Sequence, residues 1–325
     1  MKRGKNYIKP IANICQIRLP LPFALDHINC YAIKGNTGWS LIDTGLNYQP
    51  SQIAWKEALA GHEIALDNIK AIYLTHYHPD HFGCAGWLQK PSGASVFISS
   101  TDEKRAKRVW LNYRGGDDIY SAFFLRCGLP PQEISEIVNH MQLILPFVQP
   151  YPELKTVEEG ELITLGDDRY VAIHTPGHSD GHLCFYCKEN GVMFSGDHLL
   201  PHITSNISLW PGAASDPLSD YLSSLKKVKT LNSKLVLPAH GSSFTNAGER
   251  VSELEEHHHQ RLKKILSLAR SGATAYEICL RLFGEDLPLQ EKRFALGETL
   301  AHLVYLQRRC KLECRARNGV TYYSN

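Results

Sequence analysis

Three histidines and an aspartate fall within six positions in His76-Tyr77-His78-Pro79-Asp80-His81. Imidazole nitrogen and carboxylate oxygen are the donors that suit a divalent ion of zinc's borderline character. Crowded into one loop, they can be turned onto a single point if the flanking backbone is rigid. One polar loop would not establish a metal site, so the same donors should recur in comparable surroundings. They do. The apolar run YVAIHT is followed by Pro176-Gly177-His178, VMFS by Gly196-Asp197, KLVLP by Ala239-His240-Gly241, and WSLI by Asp43-Thr44-Gly45. In each, an apolar stretch stops and a His or Asp appears beside a small or turn residue that lets the backbone bend sharply. For any one alone, a cap or a solvated surface group is the simpler reading. Together they point to a metal.

The elements that must position these residues can be read from the flanking pattern. AIYLT (71–75) reads as a buried strand running into the histidine loop, and CYAIKGNTGWSLID as a hairpin turning at Gly35, Asn36 and Gly38. Residues 50–60 have helical spacing with a proline near the start, GCAGWLQK reads as a short helix, and ASVFISS (94–100) as a strand. Strands alternating with helices indicate a layered α/β domain. Residues 101–150 differ: STDEKRAKRVW opens on a helix cap at Ser100 or Thr101, and PQEISEIVNHMQLIL continues as helix, which makes this stretch a helical insertion. ELITL, YVAIHT, HLCFYC and GVMFS then resume the strands. Residues 216–231 form an amphipathic helix capped by Asp216, and KLVLP is a last strand. Beyond Asn246 the chain reads as three helices and a hairpin about Asn318-Gly319, the outline of a winged helix. The expected division is 1–246, carrying the insertion at about 101–150, and 247–325.

Bulk properties exclude several classes. The formal net charge of +2 over 325 residues gives no general pull toward nucleic acid or anionic lipid. No apolar run approaches the roughly 20 residues of a membrane helix, and no apolar core follows the basic N-terminus as a secretory signal requires. Nine cysteines lack the spacing of a disulfide framework, so free thiols and a cytoplasmic location are expected. Cys184 and Cys187 form a CxxC, but on a strand two positions three apart face opposite ways, so packing is the preferred reading over metal binding.

HYHPDH, the Gly-His at 177–178, the Gly-Asp at 196–197 and the Ala-His-Gly at 239–241 resemble, in order, the successive motifs of the metallo-β-lactamase superfamily. The likeness spans about Asn29 to Gly241. It implies a four-layer αββα sandwich holding two zinc ions, with iron or manganese as alternatives. It further implies that His76, His78 and His178 hold one ion, that Asp80, His81 and His240 hold the other, that Asp197 bridges them, and that Asp43 orients a ligand histidine. Two such cations would lower the pKa of a bridging water from about 15.7 toward ~7, and the hydroxide would attack a carbonyl or phosphorus centre with Asp80 orienting it.

The motif set is similar to that of glyoxalase II-type hydrolases, and it differs from flavodiiron proteins, which carry Glu at the second position of the loop motif. The last ~80 residues resemble the winged-helix extension of the mitochondrial β-lactamase-like endoribonuclease. Two substrates classes therefore compete: a small ester, thioester or lactone, and a phosphodiester in RNA docked on the C-terminal module. Arg308, Arg309, Lys311, Arg315 and Arg317 favour the second; Glu249, Glu253, Glu255 and Glu256 at the other end oppose it. The small-molecule hydrolase is preferred. A mononuclear iron dioxygenase is a third reading, and pocket closure or homodimer formation by the module stays open. Among lesser candidates, His198 and His202 follow Asp197 and are read as surface groups before substrate contacts. Tyr31 is read as core, and the run His257–His259 in a helix as no second metal site.

Overall fold

The structure, a computed structural model, describes residues 7–11, 13–112 and 117–325. Seven strands lie side by side in chain order: β1 (Tyr7–Ile11), β2 (Ile14–Pro20), β3 (His27–Gly35), β4 (Gly38–Ile42), β5 (Ile69–Tyr73), β6 (Ser95–Ile98) and β7 (Leu154–Thr156). The pairing is antiparallel as far as β4 and parallel from β4 to β7. A second sheet has the order β12-β11-β10-β9-β8, from β8 (Leu162–Leu165), β9 (Asp168–His174), β10 (Leu183–Tyr186), β11 (Val192–Gly196) and β12 (Leu235–Pro238). Here only β11 and β12 run parallel.

Side-chain alternation along these strands feeds three separate cores, and three cores mean four layers. On β3, Tyr31 and Ile33 face the second sheet and meet Phe185, Phe194 and Leu237. Ile28, Cys30 and Ala32 face the other way, against Trp55 and Ala58 of α1 (Gln49–Gly61). On β10, Phe185 and Cys187 enter the inter-sheet core while Cys184 enters the outer helical one, so the two thiols of the CxxC lie on opposite faces. Cys30, Cys84, Cys127, Cys184, Cys187, Cys279, Cys310 and Cys314 are free thiols. The result is an αββα sandwich.

Short helices follow the first sheet's strands: α2 (Pro79–Phe82), α3 (Ala85–Ser92) and α4 (Ser100–Ala106). The cap of α4 is Ser99, whose hydroxyl accepts from Asp102 N–H; the sequence expectation of Ser100 or Thr101 was one to two residues late, because all three are hydroxyl residues. A π-turn (Lys107–Leu111) follows α4, and α5 (Asp117–Arg126) and α6 (Pro131–Gln142) complete the helices of this stretch among the described residues. After α7 (Pro217–Lys229), capped by Asp216, come α8 (Ala247–Leu268), α9 (Ala275–Phe283) and α10 (Leu289–Arg308). A small antiparallel sheet, β13 (Ala273–Thr274), β15 (Val320–Ser324) and β14 (Glu313–Arg317), closes the chain around Asn318-Gly319. One outer core holds Cys184, Phe124, Ile137, Tyr221, Ile265 and Leu303, so the C-terminal helices pack onto the insertion and the second sheet. Among the described residues, no helix is long and apolar enough to cross a membrane.

Candidate metal centre

Topology brings the scattered donors to one edge. Strands β4 and β5 are parallel, so Asp43 and the 76–81 loop leave the first sheet on the same side. Strand β9 runs antiparallel to β10, and β10 to β11, so β9, β11 and β12 all point one way. Their ends deliver His178, Asp197 and His240 respectively. In the 76–81 loop, Pro79 starts the one-turn helix α2, which turns Asp80 and His81 back toward His76 and His78. Two glycines are obligatory in this geometry. A Cβ on Gly177 (φ +138°) would lie 2.4 Å from Tyr221 Cβ, and one on Gly196 (φ +49°) 2.7 Å from His182 Nε2.

All seven expected ligands meet. The donor atoms of His76, His78 and His178 lie within 4.8 Å of one another, as do those of His76, His81 and Asp197, and of Asp80, His81 and His240. Asp197 stands between the groups: Oδ2 is 3.3 Å from His178 Nε2, while Oδ1 is 3.4 Å from His240 Nε2 and 3.5 Å from His81 Nε2. Asp80 Oδ2 lies 3.5 Å from His240 Nε2 and 3.7 Å from His81 Nε2. The Asp–His pairs, at 3.3 to 3.7 Å, are close enough to share an ion.

The far side of each ring fixes its tautomer. His81 Nδ1–H donates to Asp43 Oδ2 (2.8 Å), His178 Nδ1–H to Asn206 O (2.9 Å) and His240 Nδ1–H to His27 O (2.9 Å). Thr75 Oγ1 donates to Asp43 Oδ2 (2.9 Å) and accepts from His76 Nδ1–H (3.0 Å). The Nε2 atoms of all four rings are thereby turned inward, that of His178 facing His78 Nδ1 at 2.9 Å. The Nε2 atoms of His76, His81 and His240 and Oδ1 of Asp197 are buried without a hydrogen-bond partner among the described residues. Buried and without partners of their own, these groups form a donor set suited to a cation.

A family model described as the metallo-beta-lactamase superfamily matches residues 24–240, and one described as the metallo-beta-lactamase-like C-terminal domain matches 262–325. The chain belongs to the metallo-β-lactamase superfamily. A metallo-beta-lactamase family protein from Thermus thermophilus superposes with a TM-score of 0.87 at 30% identity, covering 97% of this chain and 99% of that one. A probable metallo-hydrolase of Bacillus subtilis is 27% identical over 91% of this chain and 92% of its own length. An atrochrysone carboxyl ACP thioesterase of Aspergillus fumigatus is 23% identical over 82% of this chain and 71% of its own.

As in any member of a metal-binding superfamily, the site's electrostatics are set by what lies opposite each ring. Burial, with the neighbouring imidazoles, holds His76 and His78 well below the usual histidine range and keeps them neutral. Burial pulls His81 the same way, but Asp43, Asp197 and Asp80 outweigh it and raise that ring. For Asp80 burial is likewise outweighed, and His81 and His240 bring its carboxyl down to about 2. Asp43 holds its post in the left-handed region (φ +57°), accepting from Thr75 N–H (2.8 Å) as well as from His81, so a strained backbone is pinned under the metal loop.

The two lesser candidates separate. His202 is exposed and belongs to none of the donor groups. His198 is not a surface group: it is fully buried, edge-on to Tyr221 (5.2 Å between rings), and burial pushes its pKa down to about 3. A histidine beside a buried aspartate at a strand end follows the strand inward, which periodicity in a loop does not reveal. Sequence reasoning also passed over three supports. His182 Nε2 accepts from Asp197 N–H (3.2 Å), fixing that residue's backbone. Thr75 ties Asp43 to His76. Asp102, in the insertion, accepts from Tyr77 N–H (3.1 Å), Ser179 Oγ (2.7 Å) and Gly181 N–H (2.9 Å), clamping two ligand loops together. Of these only His182 left a signal, as the second histidine of GHSDGH.

Proposed function

We propose that this chain is a hydrolase that cleaves a thioester or related ester of a small molecule at a two-zinc site. The observation that carries this reading is Asp197, whose two oxygens face different donor groups, Oδ2 toward His178 and Oδ1 toward His81 and His240. His76, His78 and His178 would hold one ion, and Asp80, His81 and His240 the other. When bound, the ions supply a water acidified to near neutrality and positive charge opposite the carbonyl oxygen.

The chain's own residues do the rest. Asp80 is the most exposed of the site's three acids, its side chain 20% accessible against 12% for Asp197 and 2% for Asp43. Ionised at neutral pH, it accepts the hydrogen bond of the attacking water and relays the proton to the departing sulfur or oxygen. As the C–O bond forms the C–S bond breaks, giving a carboxylic acid and a thiol. Asp43, Thr75 and Asn206 keep the rings from turning.

The edge that bears the donors also carries apolar side chains open to solvent. Phe23 and Leu25 lie in the turn that runs into His27, and Phe294 meets Asn206 through its carbonyl. Exposed apolar groups around a polar centre suit an acyl substrate. The thioesterase named above is a relative with that chemistry. The basic end of the C-terminal module is partly occupied: Arg309 is paired with Asp216 (3.0 Å) and Arg315 with Glu313 (3.1 Å). That favours a small molecule over RNA.

The test is metal analysis of the purified protein, with thioesters, lactones, phosphodiesters and short RNAs assayed on wild type and His78→Ala. The expected result is two zinc ions per chain, turnover of thioesters, and a loss on the order of 10³-fold in the variant. Iron at one per chain would replace this reading with the dioxygenase, RNA cleavage with the endonuclease, and full activity in His78→Ala would remove the metal from the chemistry.

A further inference from the structure

Arg293 belongs to α10, more than fifty residues beyond His240, yet its helix packs on the loop that holds His178. The first turns of α10 dock on the loop that follows Asp197. Leu209 N–H donates to Gly297 O (3.0 Å), and Asn206 Nδ2 donates to Phe294 O (3.5 Å). The same Asn206 accepts, through its carbonyl, the ring N–H of the ligand His178. Held there, the Arg293 guanidinium lies 4.4 Å from the Phe294 ring centre and 5.6 Å from that of Trp210.

A second guanidinium approaches from the insertion. Arg105 Nη1 donates to Pro211 O (3.0 Å), and its guanidinium carbon is 6.0 Å from the centre of the Tyr77 ring, between ligands His76 and His78 in sequence. The Tyr77 ring is itself 4.8 Å from that of His78. Two cations, one from the insertion and one from the C-terminal helices, thus flank the segment 209–212 and the histidine loop.

Arg293 has no hydrogen bond and no carboxylate partner among the described residues, and its Nε is sealed from solvent. Burial takes so much water from it that its pKa falls to about 10, the Tyr120 and Tyr77 phenols pulling the other way. Removing water from an unpaired cation is costly, and stacking on two aromatic rings offsets only part of that cost. Arg105 is better provided: its Nη1 has Pro211 O, and burial is outweighed by the Tyr77 and Tyr120 phenols with Asp180, which raise its pKa, so the charge without a partner is that of Arg293. A half-buried arginine without a counter-ion beside a catalytic centre is a vacancy for an anion.

We infer that Arg293 and Arg105 form an anion site beside the metal centre, and that the ester or thioester cleaved there carries a carboxylate or phosphate. This inference rests on the hydrolase reading above for the scissile bond, and on the unpaired Arg293 guanidinium alone for the anion. The anion lies either on the acyl chain or on the thiol half, since both arrangements present the same chemistry to a guanidinium.

The test compares hexanoyl N-acetylcysteamine, its ω-carboxylated adipoyl analogue and hexanoyl coenzyme A on the zinc-loaded wild type, Arg293→Gln and Arg293→Lys. The ratio of kcat/KM for the preferred anionic thioester to that for the neutral one should fall about tenfold or more in Arg293→Gln, mostly through KM. Arg293→Lys, which keeps the charge without the fork, should lie between. Loss confined to the adipoyl ester places the anion on the acyl chain; loss confined to the coenzyme A ester places it on the thiol half. A ratio that does not move overturns the inference. Independently of turnover, titration of tryptophan fluorescence with glutarate and inorganic phosphate should give a saturable change in wild type, reported by Trp210, that Arg293→Gln lacks. Saturable, Arg293-dependent binding without hydrolysis of any thioester keeps the anion site and removes the thioesterase. Equal titrations in both proteins remove the anion site.

Discussion

The donor-bearing edge of the sandwich and the wall formed by the insertion and the C-terminal helices are built by opposite means. At the edge, each donor hangs a few residues past a buried strand, and its orientation comes from a short hydrogen bond to a neighbouring strand end, such as His240 Nδ1 to His27 O. At the wall, position comes from docking between segments far apart in the chain. Tyr276 N–H donates to Cys127 O (3.0 Å), Tyr276 Oη to Glu133 Oε1 (2.7 Å), and Lys292 Nζ lies 3.1 Å from Glu133 Oε2. The edge can therefore keep a metal while the wall changes. In physical terms a rigid scaffold carries the donors, and a separately docked surface borders it.

Asp43 is where the edge should be most sensitive. It touches no expected metal position, but it receives three donors, from Thr75 N, Thr75 Oγ1 and His81 Nδ1. Asp43→Ala frees the His81 ring and leaves buried donors unsatisfied. We expect zinc affinity to fall by about 10- to 100-fold in chelator competition, and activity with it. Undiminished affinity would mean that the ligands are held by packing alone, and the distinction between edge and wall would lose its basis.

Asp102 tests the boundary, because it lies in the insertion yet serves the edge. Asp102→Asn turns an amide toward groups that are all donors, so at least one of the bonds to Tyr77, Ser179 and Gly181 is lost. The expected cost is about 1–3 kcal/mol in unfolding free energy, with a smaller loss of activity than in Asp43→Ala. Its titration has a definite sign. Burial raises the carboxyl from 3.8 to about 7 in the folded protein, against the pull of the Ser179, Tyr77 and Gly181 donors. Between those values the native state binds more protons than the unfolded chain. This contribution to stability is present in full below about pH 4 and is lost as pH rises through 7, an effect on the order of 4 kcal/mol at most. Urea melts of wild type and Asp102→Asn across pH 4 to 7.5 should differ by that slope, and parallel curves would show that Asp102 is ionised throughout.

The same contrast explains what could be read from the sequence. Strand ends are local: an apolar run, a turn residue and a His or Asp are contiguous, so the donors were visible at 76–81, 178, 197 and 240, and parallel strands carry such ends to one side. Helical identity in 101–150 and 247–308 was also legible from spacing. What depends on long-range contact was not. His198 follows Asp197 like any loop residue, and only packing against Tyr221 makes it buried. Asp102 has the look of a first-turn acid in an exposed helix, and only tertiary folding sets it against Gly181, seventy-nine residues on. Arg293 carries no pattern at all until Trp210 is beside it.

The smallest effect is expected at the wall, where Glu133 joins α6 to α9 and α10. Its side chain is 25% accessible and that of Lys292 14%, so the ion pair is screened and contributes little, about 0.5–1 kcal/mol. The bond from Tyr276 Oη is more sheltered and should contribute about 1 kcal/mol. A double-mutant cycle of Glu133→Gln and Tyr276→Phe separates the two, because Gln keeps an acceptor for the phenol while giving up the charge. Glu133→Gln alone should lower unfolding free energy by less than 1 kcal/mol, and the cycle should show coupling of about that size. Zinc affinity should not change in either variant, since neither residue reaches a strand end that bears a donor. If chelator competition showed the metal loosened by Glu133→Gln, the wall would be holding the edge. The helical segments would then have to be counted as part of the metal scaffold, and not as a surface free to vary around it.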